Sequence, residues 1–127
     1  MAQQARVVTR IRAGRGSGRR APVAALLADL GLPLRAVAEA LAIPERTMHR
    51  LKREAIVPAV IADKIARARD VFDRAADVLG SAEAARRWLV RRNPALNGDT
   101  PLSLLDTSLG WEEVKQALGR IEHGVPS

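Results

Sequence analysis

Apolar residues recur along this chain at three- and four-residue intervals, and no stretch alternates convincingly between apolar and polar positions. That period predicts helices throughout. A short helix is expected over about 22–30, with Pro22 at its start and Gly31 just past its end. "LRAVAEALA" follows Pro33, and "ERTMHRLKR" begins at Glu45. A long helix is predicted over about 58–79, with Ile61, Ile65, Ala68, Phe72, Ala75 and Leu79 on one face. Its polar side offers Asp63–Arg67 and Asp70–Arg74 at pairing distance. Gly80 ends that helix and Ser81 caps the next, whose expected buried stripe is Ala82, Ala85, Trp88 and Leu89. Arg86, Arg87 and Arg91 make its last turn basic, as the helix dipole favours. "NPALNGD" is turn-rich, and Thr100-Pro101 then opens a short helix to about Asp106. A last helix starts near Thr107 or Ser108, with Trp111, Val114, Leu118 and Ile121 on one stripe. The fold class is therefore all-α, with no internal repeat.

The stretch 34–53 has a more specific pattern. Two helices meeting through a tight turn need apolar residues at the fourth, eighth, tenth, fifteenth and eighteenth positions, and a small one at the fifth. Counted from Leu34, those positions hold Val37, Leu41, Ile43, Met48, Leu51 and Ala38. Only the ninth departs: Ala42 stands where glycine suits a left-handed turn. In a DNA-binding helix-turn-helix the second helix enters the major groove by its N-terminal half. Pro44, Glu45, Arg46, His49, Arg50 and Arg53 would face outward. Arg46 and Arg50 could fork onto guanine edges, and Arg35, Lys52 and Arg53 suit phosphates. The competing reading is an amphipathic helix pair with a solvated basic face.

Composition changes this picture little. There is no Cys or Tyr, one Phe and two Trp among 127 residues, so the interior is aliphatic and no disulfide is possible. Neither a secretory signal nor an apolar run of membrane-spanning length is recognisable, so a soluble cytoplasmic protein is expected, nucleoid-associated when on DNA. The net charge of +7 is local: six of the 21 basic side chains lie in residues 1–22, which have no acid. The remainder is 15 basic against 14 acidic side chains, nearly neutral. This Gly-Arg arm (Arg6, Arg10, Arg12, Arg15, Arg19, Arg20) could follow phosphates or a minor groove, or be a solvated leader without a partner. "GRGSG" follows no strand and lacks the Lys-Ser/Thr ending of a phosphate-binding loop.

The segment "AARRWLVRRNPALNGDTPLSLLDTSLGWEEVKQALGRIEHGVPS" closely resembles the C-terminal toxin-binding domain of the Xre/MbcA/ParS antitoxin family. The shared pattern is Ala85, Trp88 and Leu89, then Asn93, Pro94, Leu96 and Gly98. Pro101, Leu104, Leu105, Thr107, Gly110, Val114 and Leu118 follow, and finally Arg120, Ile121, Glu122, Gly124 and Val125. With the helix-turn-helix included, the likeness runs from about residue 34 to 127. Packing accounts for most of these positions: Trp88 and Leu89 anchor a helix, Asn93-Pro94 and Gly98 turn a loop, Thr100 and Thr107 cap, and Gly110 permits close approach. Four segments result: a basic arm (1–21), a helix-turn-helix region (22–57), a connecting or dimerisation helix (58–80) and a toxin-binding domain (81–127).

The resemblance implies the antitoxin half of a type II toxin–antitoxin pair. Its partner would be a RES-domain toxin that consumes or transfers from NAD, its active-site cleft covered by the antitoxin's C-terminal domain. Repression of its own operon, a homodimer on operator DNA and a higher toxin–antitoxin complex are implied as well. The tail "GRIEHGVPS" would lie against the toxin, with Arg120, Glu122 and His123 as polar contacts and Gly124 ending the helix. Val125 would act as an apolar plug, Pro126 would fix the exit direction, and Ser127 would carry the terminal carboxylate. The family is expected to have a bulky or aromatic side chain where this chain has Pro126, which shifts the anchoring onto Val125 and that carboxylate. A stand-alone helix-turn-helix repressor is the alternative. An enzyme is not expected. His49 and His123 are the only histidines, no acids stand at metal spacing with them, and adjacent Glu122 and His123 point about 100° apart on a helix. No catalytic residue, metal or cofactor is therefore assigned.

Overall fold

A computed structural model describes residues 20–53 and 56–124. Among the described residues there are six α-helices and no strand, as the apolar period predicts. They are α1 (Arg20–Leu30), α2 (Leu34–Ala40), α3 (Glu45–Leu51), α4 (Ala59–Leu79), α5 (Ala82–Leu89) and α6 (Ser108–Glu122). Short 3-10 turns occupy Pro94–Leu96 and Leu102–Asp106. The chain forms two compact units that divide inside α4, between Ala66 and Arg67.

In the first unit, α1 buries Val23, Leu26 and Leu30 at three- and four-residue steps, and Gly31 ends it with φ 63°. All six helix-turn-helix slots are filled as expected: Val37, Ala38, Leu41, Ile43, Met48 and Leu51 are each at most 4% exposed. The turn between α2 and α3 is a complete left-handed helix stop. The Ile43 amide donates to the Ala38 carbonyl at 2.9 Å and the Ala42 amide to Glu39 at 3.2 Å, with Ala42 at φ 56°. Ile43 and Ala38, both buried, are the apolar pair such a stop requires. The freed Ala42 carbonyl accepts from Lys64 Nζ at 3.1 Å.

The second unit is built on the rest of α4, which buries Ala68, Val71, Phe72 and Ala75. Ile61 and Leu79, at the two ends of the expected stripe, are only half-buried. Gly80 reverses the chain at φ 99°, and Ser81 Oγ caps α5 by accepting from the Ala84 amide at 3.0 Å. Two expectations about α5 need correction. Ala82 is exposed because it sits in the capping turn of an eight-residue helix, and Trp88 is half-buried. The buried stripe of α5 therefore reduces to Ala85 and Leu89. The loop after α5 closes on itself: Asn93 Oδ1 accepts from the Ala95 amide at 2.9 Å, and the Asn93 carbonyl accepts from Gly98 at 2.9 Å. Asn97 and Gly98 both take left-handed conformations, and Leu96 is buried beneath them.

Thr100 Oγ1 accepts from the Ser103 amide at 3.3 Å and so caps the next turn, which winds as a 3-10 helix. Thr107 Oγ1 caps α6 through the Gly110 amide at 3.0 Å. Gly110 is buried against that 3-10 turn, and a Cβ there would collide with the Leu104 backbone carbonyl. Val114, Ala117 and Leu118 continue the buried face. Ile121 does not join it: at 39% exposed it lies a turn beyond where the packing ends.

Ion pairing along α4 is partly as expected. Arg74 Nε holds both Asp70 oxygens, at 3.0 and 2.9 Å, and Arg69 pairs with Asp73 at 3.1 Å. The expected Asp63–Arg67 pair is absent. Arg67 instead donates from Nε to the Leu105 carbonyl at 2.9 Å and from Nη2 to Asp106 at 3.1 Å. Carbonyls at the end of a 3-10 turn lack partners within it. Supplying them in a partly buried setting outweighs an exposed i,i+4 pair worth about 0.3–0.5 kcal/mol.

Two substitutions test these turns. Ala42→Gly should raise stability by up to about 1 kcal/mol, because relief of left-handed strain exceeds the added unfolded-state entropy. A fall in the urea midpoint would contradict it. Gly110→Ala should cost about 2–3 kcal/mol, because the obstructing atom belongs to backbone that cannot swing away; thermal melting indistinguishable from the parent would rule out the close approach.

Candidate functional site

The first unit carries the candidate DNA-contact residues. Arg35 on α2, Glu45, Arg46, His49 and Arg50 on α3, and Lys52 and Arg53 just after it are all exposed. Met48 and Leu51 of the same helix are at 0% exposure, so the burial that fixes α3 also orients its basic side outward. His49 Nε2 lies 3.7 Å from Glu45 Oε2, one helical turn away. Guanidinium groups at positions 46 and 50 share a face by their spacing, as reading neighbouring base edges would require.

In the second unit the C-terminal half of α4 and α6 are joined by a polar chain that sequence reasoning misses. Trp111 Nε1 donates to Asp70 Oδ2 at 3.0 Å, across 41 positions of sequence. The same carboxylate accepts from Arg74. Lys115 Nζ stands 3.7 Å from the centre of the Trp111 ring and 3.2 Å from Glu112 Oε2. The Asp70–Arg74 spacing is visible in the sequence, but nothing there indicates that this carboxylate also takes the indole N–H.

Beyond this chain lies a half-open cleft of about 240 Å³, lined by Arg74, Asp77, Val78, Lys115, Leu118, Gly119 and Glu122. Of the candidate toxin contacts, Glu122 is among its lining residues. Arg120 is half-buried, while Glu122, His123 and Gly124 are exposed. Gly124 has φ 73° and its amide donates to the Ile121 carbonyl at 3.1 Å, so the helix ends in the left-handed stop that its glycine suggests. Val125, Pro126 and Ser127 lie outside the described residues, as does most of the arginine arm.

Residues 74–124 match the antitoxin Xre/MbcA/ParS C-terminal toxin-binding domain. Three curated proteins named antitoxin Xre are similar to this chain. The protein of Photorhabdus laumondii is 42% identical over 65 residues, covering 50% of this chain and 44% of the relative. That of Pseudomonas putida is 31% identical over 83 residues, or 65% of this chain and 52% of the relative. That of Yersinia enterocolitica is 32% identical over 96 residues, or 74% of this chain and 65% of the relative. These matches support the Xre/MbcA/ParS antitoxin family for this chain. It spans roughly half the length of the relatives it matches.

The segment matched to this antitoxin family begins at Arg74, the partner of Asp70, and ends at Gly124, the helix stop. It holds the cleft, the Trp111 ring and the self-closed loop, and it excludes the helix-turn-helix face. Among the described residues no helix is long and apolar enough to cross a membrane, and no three His, Cys, Asp or Glu gather as metal ligands.

Proposed function

We propose that this protein is the antitoxin of a type II toxin–antitoxin pair. Its C-terminal unit neutralises a RES-domain, NAD-consuming toxin by covering the active site, and its helix-turn-helix represses the operon that encodes both. The observation that carries this reading is the match of 74–124 to a toxin-binding domain, ending on the glycine that turns the chain out of α6. The contacts are Arg120, Glu122, His123, Gly124, Val125, Pro126 and Ser127, with no catalytic group supplied by this chain.

DNA recognition is supported by the completely buried slot pattern together with an outward basic α3. Arg46 and Arg50 read base edges, with Glu45 and His49 beside them. Arg35, Lys52 and Arg53 hold phosphates. A two-fold operator calls for a homodimer, and toxin bound to that dimer gives the larger complex. The N-terminal arm adds sequence-independent affinity that falls with salt.

Expression of the neighbouring RES-type gene, alone and with this chain, tests the reading. Toxicity alone, relieved by co-expression with a stable complex, is expected; a harmless neighbour with no complex leaves a stand-alone repressor. Removing residues 124–127 should abolish growth rescue while helix content and operator binding stay at parental values, and full rescue by the truncated chain would refute the tail assignment. In mobility-shift assays on its own promoter, Arg46→Ala with Arg50→Ala should weaken binding by roughly 1–3 kcal/mol per lost base contact. Unchanged binding by the double variant would remove these two residues from the interface.

A further inference from the structure

We propose that the cleft between the C-terminal halves of α4 and α6 seats a lysine or arginine side chain of the toxin, carried on a backbone segment that lies against α6 at Gly119. The inference rests on the antitoxin reading and extends the toxin contact beyond the tail.

Gly119 carries the argument. It stands inside α6, in ordinary helical conformation, and its carbonyl accepts the His123 amide at 3.0 Å. Glycine is among the poorest helix formers, so a helical glycine calls for a reason. At Gly110 the fold supplies one, since a Cβ there meets the Leu104 carbonyl. At Gly119 the fold supplies none: a Cβ would meet nothing within 4 Å. The open space beside it is the cleft. A bare helix surface facing a cleft lets another backbone approach more closely than any side chain would permit.

Charge identifies what approaches. The two cations lining the cleft are already matched, Arg74 by Asp70 and Lys115 by Glu112. The two acids lining it, Asp77 and Glu122, are exposed and have no hydrogen-bond or ion-pair partner among the described residues. The uncommitted charge of the cleft is therefore negative. Its floor, half-buried Val78 and buried Leu118, is apolar and fits the aliphatic stem of a long basic side chain. Glu122 lines the cleft and is also one of the proposed toxin contacts, so one partner could meet both.

The test measures binding of the purified toxin to the full chain and three variants at two salt concentrations, alongside helix content, melting and the mass of the free chain. Gly119→Ala should melt at or above the parental temperature yet bind several-fold more weakly. Gly119→Leu, which fills the space, should bind more weakly by about tenfold or more. Asp77→Asn with Glu122→Gln should lose several-fold in affinity, with a shallower dependence on salt. The proposal is overturned if Gly119→Leu, or Gly119→Ala where the leucine variant does not fold, binds toxin as the parent does. Parental toxin binding together with a loss of self-association by the free chain would place a second copy in the cleft instead. Failure of the parent chain itself to bind toxin would sink the antitoxin reading, and this inference with it.

Discussion

The Leu104 carbonyl comes so close to α6 that only glycine fits opposite it, and the C-terminal unit is arranged around that contact. A 3-10 turn is an unfavourable element to pack against, because it leaves backbone carbonyls without partners and holds them near the neighbouring helix. Here the two problems are met separately. Gly110 removes the side chain that would collide, while Thr107 supplies the acceptor for the Gly110 amide. Arg67 reaches across from α4 to satisfy Leu105 and Asp106. Losing either arrangement leaves buried backbone in conflict or unpaired, which costs more than the exposed ion pairs of α4 could return.

With α6 held there, its next residues become available to fasten it to α4. Trp111 lies one position past the glycine, and its indole N–H meets Asp70. The neighbouring turn brings Lys115 over the ring and Val114 and Leu118 into the core. The cation over an aromatic face and the shared carboxylate belong to one network, so their removal should not be additive.

How far this was legible in the sequence depends on what each residue interacts with. The six helix-turn-helix slots, the caps at Ser81, Thr100 and Thr107, and the glycine stops at 31, 80 and 124 are local or periodic signals, and each stands where it was read. Gly110 was legible too, as a small residue where helices must come close. What escaped was choice among distant partners. Arg67 had a carboxylate one turn away, yet it bonds carbonyls 38 and 39 positions off. Asp70 was assigned to Arg74 and holds both that residue and Trp111. Periodicity also cannot say where packing stops, which is why Ala82 and Ile121 continue their stripes and are nonetheless exposed. Ala42 is the reverse case: the pattern flagged a misfit, and the chain takes the left-handed turn regardless because Ile43, Ala38 and two backbone bonds determine it.

These contacts are distributed unevenly along α6. The glycine contact, the Thr107 cap, the indole bond and the lysine over its ring all fall in the first half of the helix. At its end Ile121, Glu122, His123 and Gly124 are exposed, and among the described residues only backbone bonds hold them. A helix fastened at one end and bare at the other presents its free end at a defined position without spending its side chains on internal partners. For a surface whose proposed task is to enter another protein's cleft, that division matters energetically. Polar groups already paired internally would have to be released before they could bind, whereas Glu122 has no partner among the described residues to give up.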